Sequence, residues 1–314
     1  MLVFVIFALA GAVAQLVDGS LGMGYGVTAT TVLLAAGTAP ATASASVHFA
    51  KVGTGLASGA AHWKFGNVDW PVVTWIALPG AVGAVVGAVV LSSLPVATAS
   101  PWVAALLVLL GAYVLVRFSF RAVAATVVGS VRPGKSLLAP LGLTAGFIDS
   151  IGGGGWGPVA TSSLLASGRL EPRKVVGSVS TAEFVVAVAA SVGFLFALAG
   201  HGISWVTVAG LLVGGVVAAP FAAWLVRAMP ARLLGTAAGG LIVLTNVHTL
   251  LEAVGVTGTG MIVVHLLLAA IWVAALVAAV RSVRADRAEV EALTDADDAV
   301  SNSPTAGDGD PVGR

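Results

Sequence analysis

The sequence contains seven apolar stretches that are long enough to cross a lipid bilayer as helices. A helix needs about 20 apolar residues to span the hydrocarbon core. Only 9% of the residues are charged, against roughly a quarter in an average soluble domain, so a water-facing surface of this size would be poorly covered. We therefore predict an all-α, polytopic integral membrane protein surrounded by lipid. The stretches are 41–61, 70–94, 101–117, 175–199, 203–226, 232–251 and 261–280.

Two further apolar regions, 2–37 and 137–167, are each interrupted by a glycine-rich motif that begins with an aspartate. The motifs run from Asp18 to Gly26 and from Asp149 to Gly157. Glycine lowers helix stability by about 1 kcal/mol relative to alanine, so several together break a helix. Each region is predicted to form a broken or re-entrant pair of short helices, each of about 15 residues.

The basic residues alternate from loop to loop. Apart from Lys51, they lie in 62–69, 117–136, 168–174 and 227–232, or after residue 280. The intervening turns 38–40, 92–100, 200–202 and 252–260 contain none. The positive-inside rule then predicts a protein of the cell membrane with its N-terminus outside and its C-terminal tail in the cytoplasm.

The two halves of the chain are repeats of each other. Asp18 and Asp149 are 131 positions apart, and the same shift aligns the glycine motifs that follow them. After one inserted residue, Ser46 aligns with Ser178 and Lys51 with Glu183. A broken pair followed by three spans inverts the second copy in the membrane. We predict a first repeat at 1–117, a cytoplasmic linker at 118–136, a second repeat at 137–252, a final transmembrane helix at 253–283 and a disordered acidic tail at 284–314.

Inverted repeats with interrupted helices at matching positions are typical of transporters, whose substrate site lies where the interruptions meet. Unwound glycine backbone that leads into a helix presents free N–H groups and the positive end of the helix dipole, which suits an anion. The alternative is that the glycines only allow close helix packing, as we expect for Gly80, Gly83 and Gly87. The predicted substrate-binding residues of the motifs are Gly22, Gly24, Tyr25, Gly26, Gly153, Gly154, Gly155, Trp156 and Gly157.

Few ionisable side chains lie inside the membrane, and such residues are functional candidates by default. Lys51 and Glu183 are predicted either to form a buried ion pair between the halves or to tune an anion site. Asp18 and Asp149 are predicted either to cap the short helices that follow them or to carry a coupling proton. Two ionised carboxylates beside the site would repel an anion.

Other polar side chains are candidates for contact with the substrate. His48 lies three residues before Lys51 on the same helical face, as either a donor to the substrate or an interior histidine. Ser46 and Ser178 could donate to an oxyanion or to their own helix backbone. No cysteine is present. We predict a small anionic substrate, contact with membrane lipid, and no cofactor, metal site or nucleic-acid partner. Coupling to a proton or sodium ion and the oligomeric state stay open.

Two competing classes are an intramembrane enzyme and an ion channel. An enzyme needs a nucleophile beside a base or clustered carboxylates for a metal, and the sequence offers neither next to Asp18 or Asp149. A cation channel favours rings of carboxylates and oligomeric symmetry over an internal repeat. The pattern favours a transporter, with an anion channel or an enzyme as the alternatives.

The glycine motifs that open each half, the small-residue helix with Ala45-Ser46 or Gly177-Ser178, and the aromatic start of the next span resemble the sulfite exporter TauE/SafE family. This family is also called the toluene sulfonate uptake permease family. The resemblance covers roughly residues 5–280. The first motif departs from it, because Val27 stands where the second copy has Pro158. The resemblance implies transport of sulfite or of organosulfonates such as sulfoacetate.

Overall fold

The computed structural model is helical throughout the residues that it describes, which are 1–21, 23–120, 132–199, 202–228 and 230–301. The first half forms α1 (Leu2–Leu21), α2 (Tyr25–Ala35), α3 (Pro40–Lys64), α4 (Trp70–Ser93) and α5 (Val96–Phe120). The second half forms α6 (Lys135–Gly152), a π-helical turn (Gly157–Thr161), α7 (Ser162–Ser167), α8 (Pro172–Ala197), α9 (Trp205–Ala228) and α10 (Ala231–Ala253). A last helix, α11, covers Thr259–Ser301. The all-α prediction is confirmed.

Five of these helices are long and apolar enough to cross a membrane: Trp70–Ser93, Val96–Ser119, Pro172–Ala197, Arg232–Ala253 and Thr259–Asp286. Shorter apolar segments are Leu2–Asp18, Tyr25–Ala35 and Trp205–Phe221. Large apolar side chains such as Leu78 and Leu266 are exposed on the outside of the bundle. This exposure is what a lipid solvent requires, and the chain is a polytopic membrane protein.

Both predicted breaks occur, but they lie closer to the C-terminal end of each pair than expected. α1 has 20 residues and α2 has 11, while α6 has 18 and is followed by two short helical pieces. α6 ends directly before Gly153, whose φ is 71°, and α2 begins directly after Gly24, whose φ is 122°; residues other than glycine avoid this backbone conformation. Glycines of the motifs, rather than their aspartates, therefore border the breaks.

The two halves interlock, because the broken helix of each half packs on a helix of the other. α1 packs most extensively on α9, and α6 packs most extensively on α4. Gly11 and Gly142, which are equivalent in the repeat, lie at these crossings. A Cβ on Gly11 would lie 2.7 Å from Leu211 Cα, and one on Gly142 would lie 3.1 Å from Ile76 Cα. These glycines serve close packing.

Two further large contacts join equivalent helices of the two halves. α3 packs on α8 and α5 packs on α10, as a twofold relation between the halves requires. One pair departs from this symmetry: among the described residues, α4 packs along α8 more extensively than its counterpart α9 packs along α3.

The C-terminal tail differs from the sequence expectation. Disorder was predicted from residue 284, whereas α11 continues as a helix to Ser301. The segment 284–301 contains five alanines, two glutamates and two arginines, which are strong helix formers and can extend a helix beyond the membrane. Residues 302–314 of the predicted tail, and 121–131 of the predicted linker, lie outside the described residues.

Candidate functional site at the crossing of the glycine motifs

The two glycine motifs meet backbone to backbone at the centre of the molecule. A Cβ on Gly154 would lie 2.8 Å from Gly26 Cα, and one on Gly26 would lie 2.5 Å from Gly154 Cα. Such distances are well inside van der Waals contact, so only glycine fits at this crossing. The motifs therefore share one location although they are 131 positions apart.

Each motif begins with an aspartate and runs into the start of a helical segment, and the aspartate caps that segment. Asp18 Oδ1 accepts a hydrogen bond of 3.1 Å from the Tyr25 backbone N–H, and Asp149 Oδ1 accepts one of 3.0 Å from the Trp156 backbone N–H. Each bond closes a seven-residue loop and satisfies an N–H group that the first helical turn leaves free. The geometry agrees with the capping hypothesis for both aspartates.

Beyond this backbone bond, Asp149 contacts the side chains of a lysine and a histidine. Lys51 Nζ lies 3.0 Å from both carboxylate oxygens, and His48 Nε2 lies 3.1 Å from Oδ2. All three side chains are almost completely buried. Asp149 therefore forms a desolvated, fully bonded cluster that ties α6 to α3.

His48 links Asp149 to the backbone of its own helix. Its Nδ1 lies 2.8 Å from the Ser44 carbonyl oxygen, while its Nε2 lies 3.1 Å from Asp149 Oδ2.

Lys51 also reaches the second half through Glu183, whose Oε1 lies 2.8 Å from Nζ. This is the ion pair that the repeat alignment offered as one interpretation of the two residues. Sequence reasoning missed that Asp149 shares the same ammonium group. One lysine therefore bridges α3 to both α6 and α8.

A cavity of about 280 Å³ lies against this cluster. Its walls combine both glycine motifs with polar faces of α3 and α8. Six of the predicted substrate-binding residues line it: Gly24, Tyr25, Gly26, Lys51, Gly154 and Gly157. Asp18 and Glu183 line it as well. The remaining walls are formed by Gln15, Met23, Thr54, Gly55, Ser58, His62, Thr161, Val176, Val179 and Ser180.

Other predicted contacts lie behind the cavity wall. Trp156 is buried and its indole N–H donates a 3.0 Å bond to the Val179 carbonyl oxygen. Ser178 Oγ accepts a 2.8 Å bond from the Asp69 backbone N–H, and Ser46 is fully buried. Gly153, Gly155 and His48 support the site from behind, since none of them borders the cavity. Gly22 lies outside the described residues.

The polar stripe on α3 was missed, although the sequence carries a signal for it. Thr54, Gly55 and Ser58 follow Lys51 at intervals of three, four and seven residues, the spacing of one helical face. On α8, Val176, Val179, Ser180 and Glu183 repeat the same spacing. Small and hydroxyl-bearing residues at this interval beside an intramembrane charge therefore indicate the helix faces that line the cavity.

Comparison with known proteins supports the family resemblance. The family model described as "Sulfite exporter TauE/SafE" matches residues 7–249, so α11 lies outside the matched region. A curated relative from Bacillus subtilis (strain 168), "Probable membrane transporter protein YtnM", is 50% identical over 248 residues. That alignment covers 79% of this chain and 83% of the relative. No solved structure matches the chain. The chain therefore belongs to the sulfite exporter TauE/SafE family of membrane transporters.

Proposed function

We propose that this transporter moves a small anion, sulfite or an organosulfonate, across the cell membrane by alternating access. The observation that carries the proposal is the convergence of both glycine motifs and Lys51 on one cavity of about 280 Å³. Transporters built from inverted repeats place their substrate where the interrupted helices of the two halves meet. The family description supports sulfite or a related anion as cargo.

The cavity offers an anion two kinds of favourable contact. Gly26 and Gly157 border it at the start of the helical segments after each motif, where N–H groups have no partner within the helix. The positive end of each helix dipole adds to this attraction. Lys51 Nζ supplies a cation at the cavity wall. Because Lys51 already bonds two carboxylates, we assign most of the substrate contact to the glycine backbone.

The position of the cavity supports a state that is open to the cytoplasm. Its lining follows α3 from Lys51 to His62 and α8 from Val176 to Glu183. Those ends of the helices adjoin the loops 62–69 and 168–174, which carry basic residues and which the positive-inside rule assigns to the cytoplasm. The closer packing of α4 along α8 than of α9 along α3 fits a conformation in which the two halves are not equivalent.

Single-cysteine labelling tests this orientation, and the absence of native cysteine makes the experiment clean. Ser58→Cys places a thiol in the cavity, and Ser93→Cys places one at the exposed end of α4. We expect a membrane-impermeant maleimide to label Ser58→Cys only in inverted vesicles and Ser93→Cys only in spheroplasts. The reverse pattern would show that the assigned orientation is wrong.

Flux measurements in proteoliposomes test the transport function itself. We expect saturable uptake of sulfite and sulfoacetate, little uptake of acetate, and stimulation when the same anion is present on the opposite side. Stimulation from the opposite side requires a site that faces one side at a time, so its absence together with non-saturating flux would identify an anion channel instead. Uptake of none of the sulfur anions would remove the proposed substrate class.

A further inference from the structure

The repeat places two pairs of ionisable residues in equivalent positions. In the structure, a residue of one pair contacts a residue of the other pair across the two halves. Asp18 is equivalent to Asp149, and Lys51 is equivalent to Glu183. Lys51 of the first half bonds Asp149 of the second half at 3.0 Å. The symmetric counterpart of that ion pair is Glu183 beside Asp18. One position therefore has a cation against a carboxylate, and the other has two carboxylates.

Asp149 has no capacity left to exchange a proton with the cavity. It is completely buried, and Lys51, His48 and the Trp156 backbone N–H occupy its two oxygens. It does not border the cavity. Protonating it for transport would break an ion pair and several hydrogen bonds at once.

Asp18 lies in the opposite situation. It borders the cavity, its Oδ1 accepts only the 3.1 Å bond from Tyr25, and among the described residues no cation lies within ion-pairing distance of it. Glu183 also borders the cavity, and its negative charge repels that of Asp18. Lys51 attracts Asp18 only weakly by comparison, because it is bonded directly to Glu183 and Asp149.

The other titratable groups near α1 do not compensate Asp18. α2 contributes Tyr25, whose hydroxyl donates a 3.0 Å bond to the Leu211 carbonyl oxygen. The described side chains of α9 contribute none. α10 carries groups that bond elsewhere: Arg232 pairs with Asp286, and His248 pairs with Glu252. His62 lines the cavity at the far end of α3.

From this arrangement we infer that Asp18 carries a proton that is transported together with the anion, and that Asp149 does not. The inference rests on the proposed function. An anion that enters the cavity meets the charges of Asp18 and Glu183, and a proton on Asp18 removes one of these repulsions. Proton binding and anion binding then strengthen each other by the same factor. A monovalent anion and its proton would cross without net charge.

The first test uses proteoliposomes loaded at about pH 8 and diluted into sulfoacetate at about pH 6, a range in which both acid groups of this probe stay ionised. Sulfoacetate with both groups ionised and one proton together carry one negative charge, so potassium and an ionophore hold the membrane potential at zero. We then expect the proton gradient to drive sulfoacetate accumulation in the wild type, up to about tenfold per pH unit for one proton per anion. Asp18→Asn should abolish accumulation driven by the gradient while sulfoacetate exchange between the two sides continues. The control Glu171→Gln, at an exposed carboxylate outside the cavity, should accumulate as the wild type does.

A second measurement does not depend on transport. Infrared difference spectra of the purified full-length protein between about pH 5 and pH 8 report protonated carboxyl groups. We expect Asp18→Asn to remove one titrating carboxyl band. In Glu183→Gln, the same band should titrate at lower pH, because the negative charge of Glu183 no longer repels that of Asp18. Two results would overturn the inference. The first is loss of proton-driven accumulation in Glu183→Gln but not in Asp18→Asn, which would assign the proton to Glu183. The second is an infrared spectrum of Asp18→Asn in which the titrating carboxyl bands are the same as in the wild type. If the wild type moves neither sulfite nor sulfoacetate, the proposed function fails, and the infrared bands still decide whether Asp18 exchanges a proton.

Discussion

Gly154→Val should abolish anion transport, because it introduces a side chain where two backbones cross. The first added carbon would already lie 2.8 Å from Gly26 Cα, and the branched side chain would extend further into the first motif. Overpacking a tight site costs about 1–3 kcal/mol, and more where the obstacle is rigid backbone. A displaced motif also moves the backbone N–H groups that face the cavity. If this weakens sulfite binding by about 1.4 kcal/mol or more, flux at low sulfite concentration in proteoliposomes falls at least about tenfold.

A matched control separates this effect from a general sensitivity to loss of glycine. Gly134 precedes α6 and has φ of −75°, and among the described residues only the Ser136 hydroxyl lies within 4 Å of an added Cβ, at 3.6 Å. Gly134→Ala should therefore transport normally. Size-exclusion profiles and thermal unfolding in detergent would show whether Gly154→Val still folds. A folded Gly154→Val protein with unchanged flux would remove the glycine crossing from the proposed substrate site.

Lys51→Met should strongly destabilise the bundle. It leaves Asp149 buried with His48 as its remaining side-chain partner and removes the ion pair of Glu183. Removing one partner from a buried ion pair typically costs about 3–5 kcal/mol. We expect a lower thermal unfolding temperature in detergent together with loss of sulfite binding.

The double variant Lys51→Met/Glu183→Leu tests whether Lys51 has a role beyond stability. Removing the unpaired Glu183 should recover part of the lost stability, because one uncompensated carboxylate is gone. We expect sulfite binding, measured by calorimetry, to remain lost. Restored binding in the double variant would leave Lys51 with a structural role only. Arg173→Met, which disrupts an exposed ion pair with Glu171, should change stability by less than about 1 kcal/mol.

The sequence was informative about the local features of the fold. Helix lengths follow from runs of apolar residues, and the breaks follow from glycines, which act within a few residues of themselves. The sequence did not predict that α1 packs on α9 and α4 on α6, because those contacts join residues far apart in the chain. The last helix also ran further than expected, since helix propensity after Arg281 outweighed the loss of apolar character.

For the site too, the sequence indicated candidate residues but not the contacts between distant segments. The repeat alignment placed Lys51 and Glu183 in equivalent positions and so offered their ion pair as one interpretation. It did not reveal that Asp149 and His48 complete the cluster, since that contact depends on how α6 crosses α3. It also treated Asp18 and Asp149 alike, whereas in the structure Asp18 lines the cavity and Asp149 is buried in an ion pair.

The unequal residues at positions 51 and 183 restrict how such a site can be built. Two identical subunits around a twofold axis would carry the same residue at both places. A symmetric dimer of the first half would pair Lys51 with Asp18 twice and leave no free acid in the cavity. A symmetric dimer of the second half would set Glu183 against Asp149 twice and supply no lysine at either place. One ion pair beside one free carboxylate therefore requires two halves that are not identical, and here a single polypeptide supplies both.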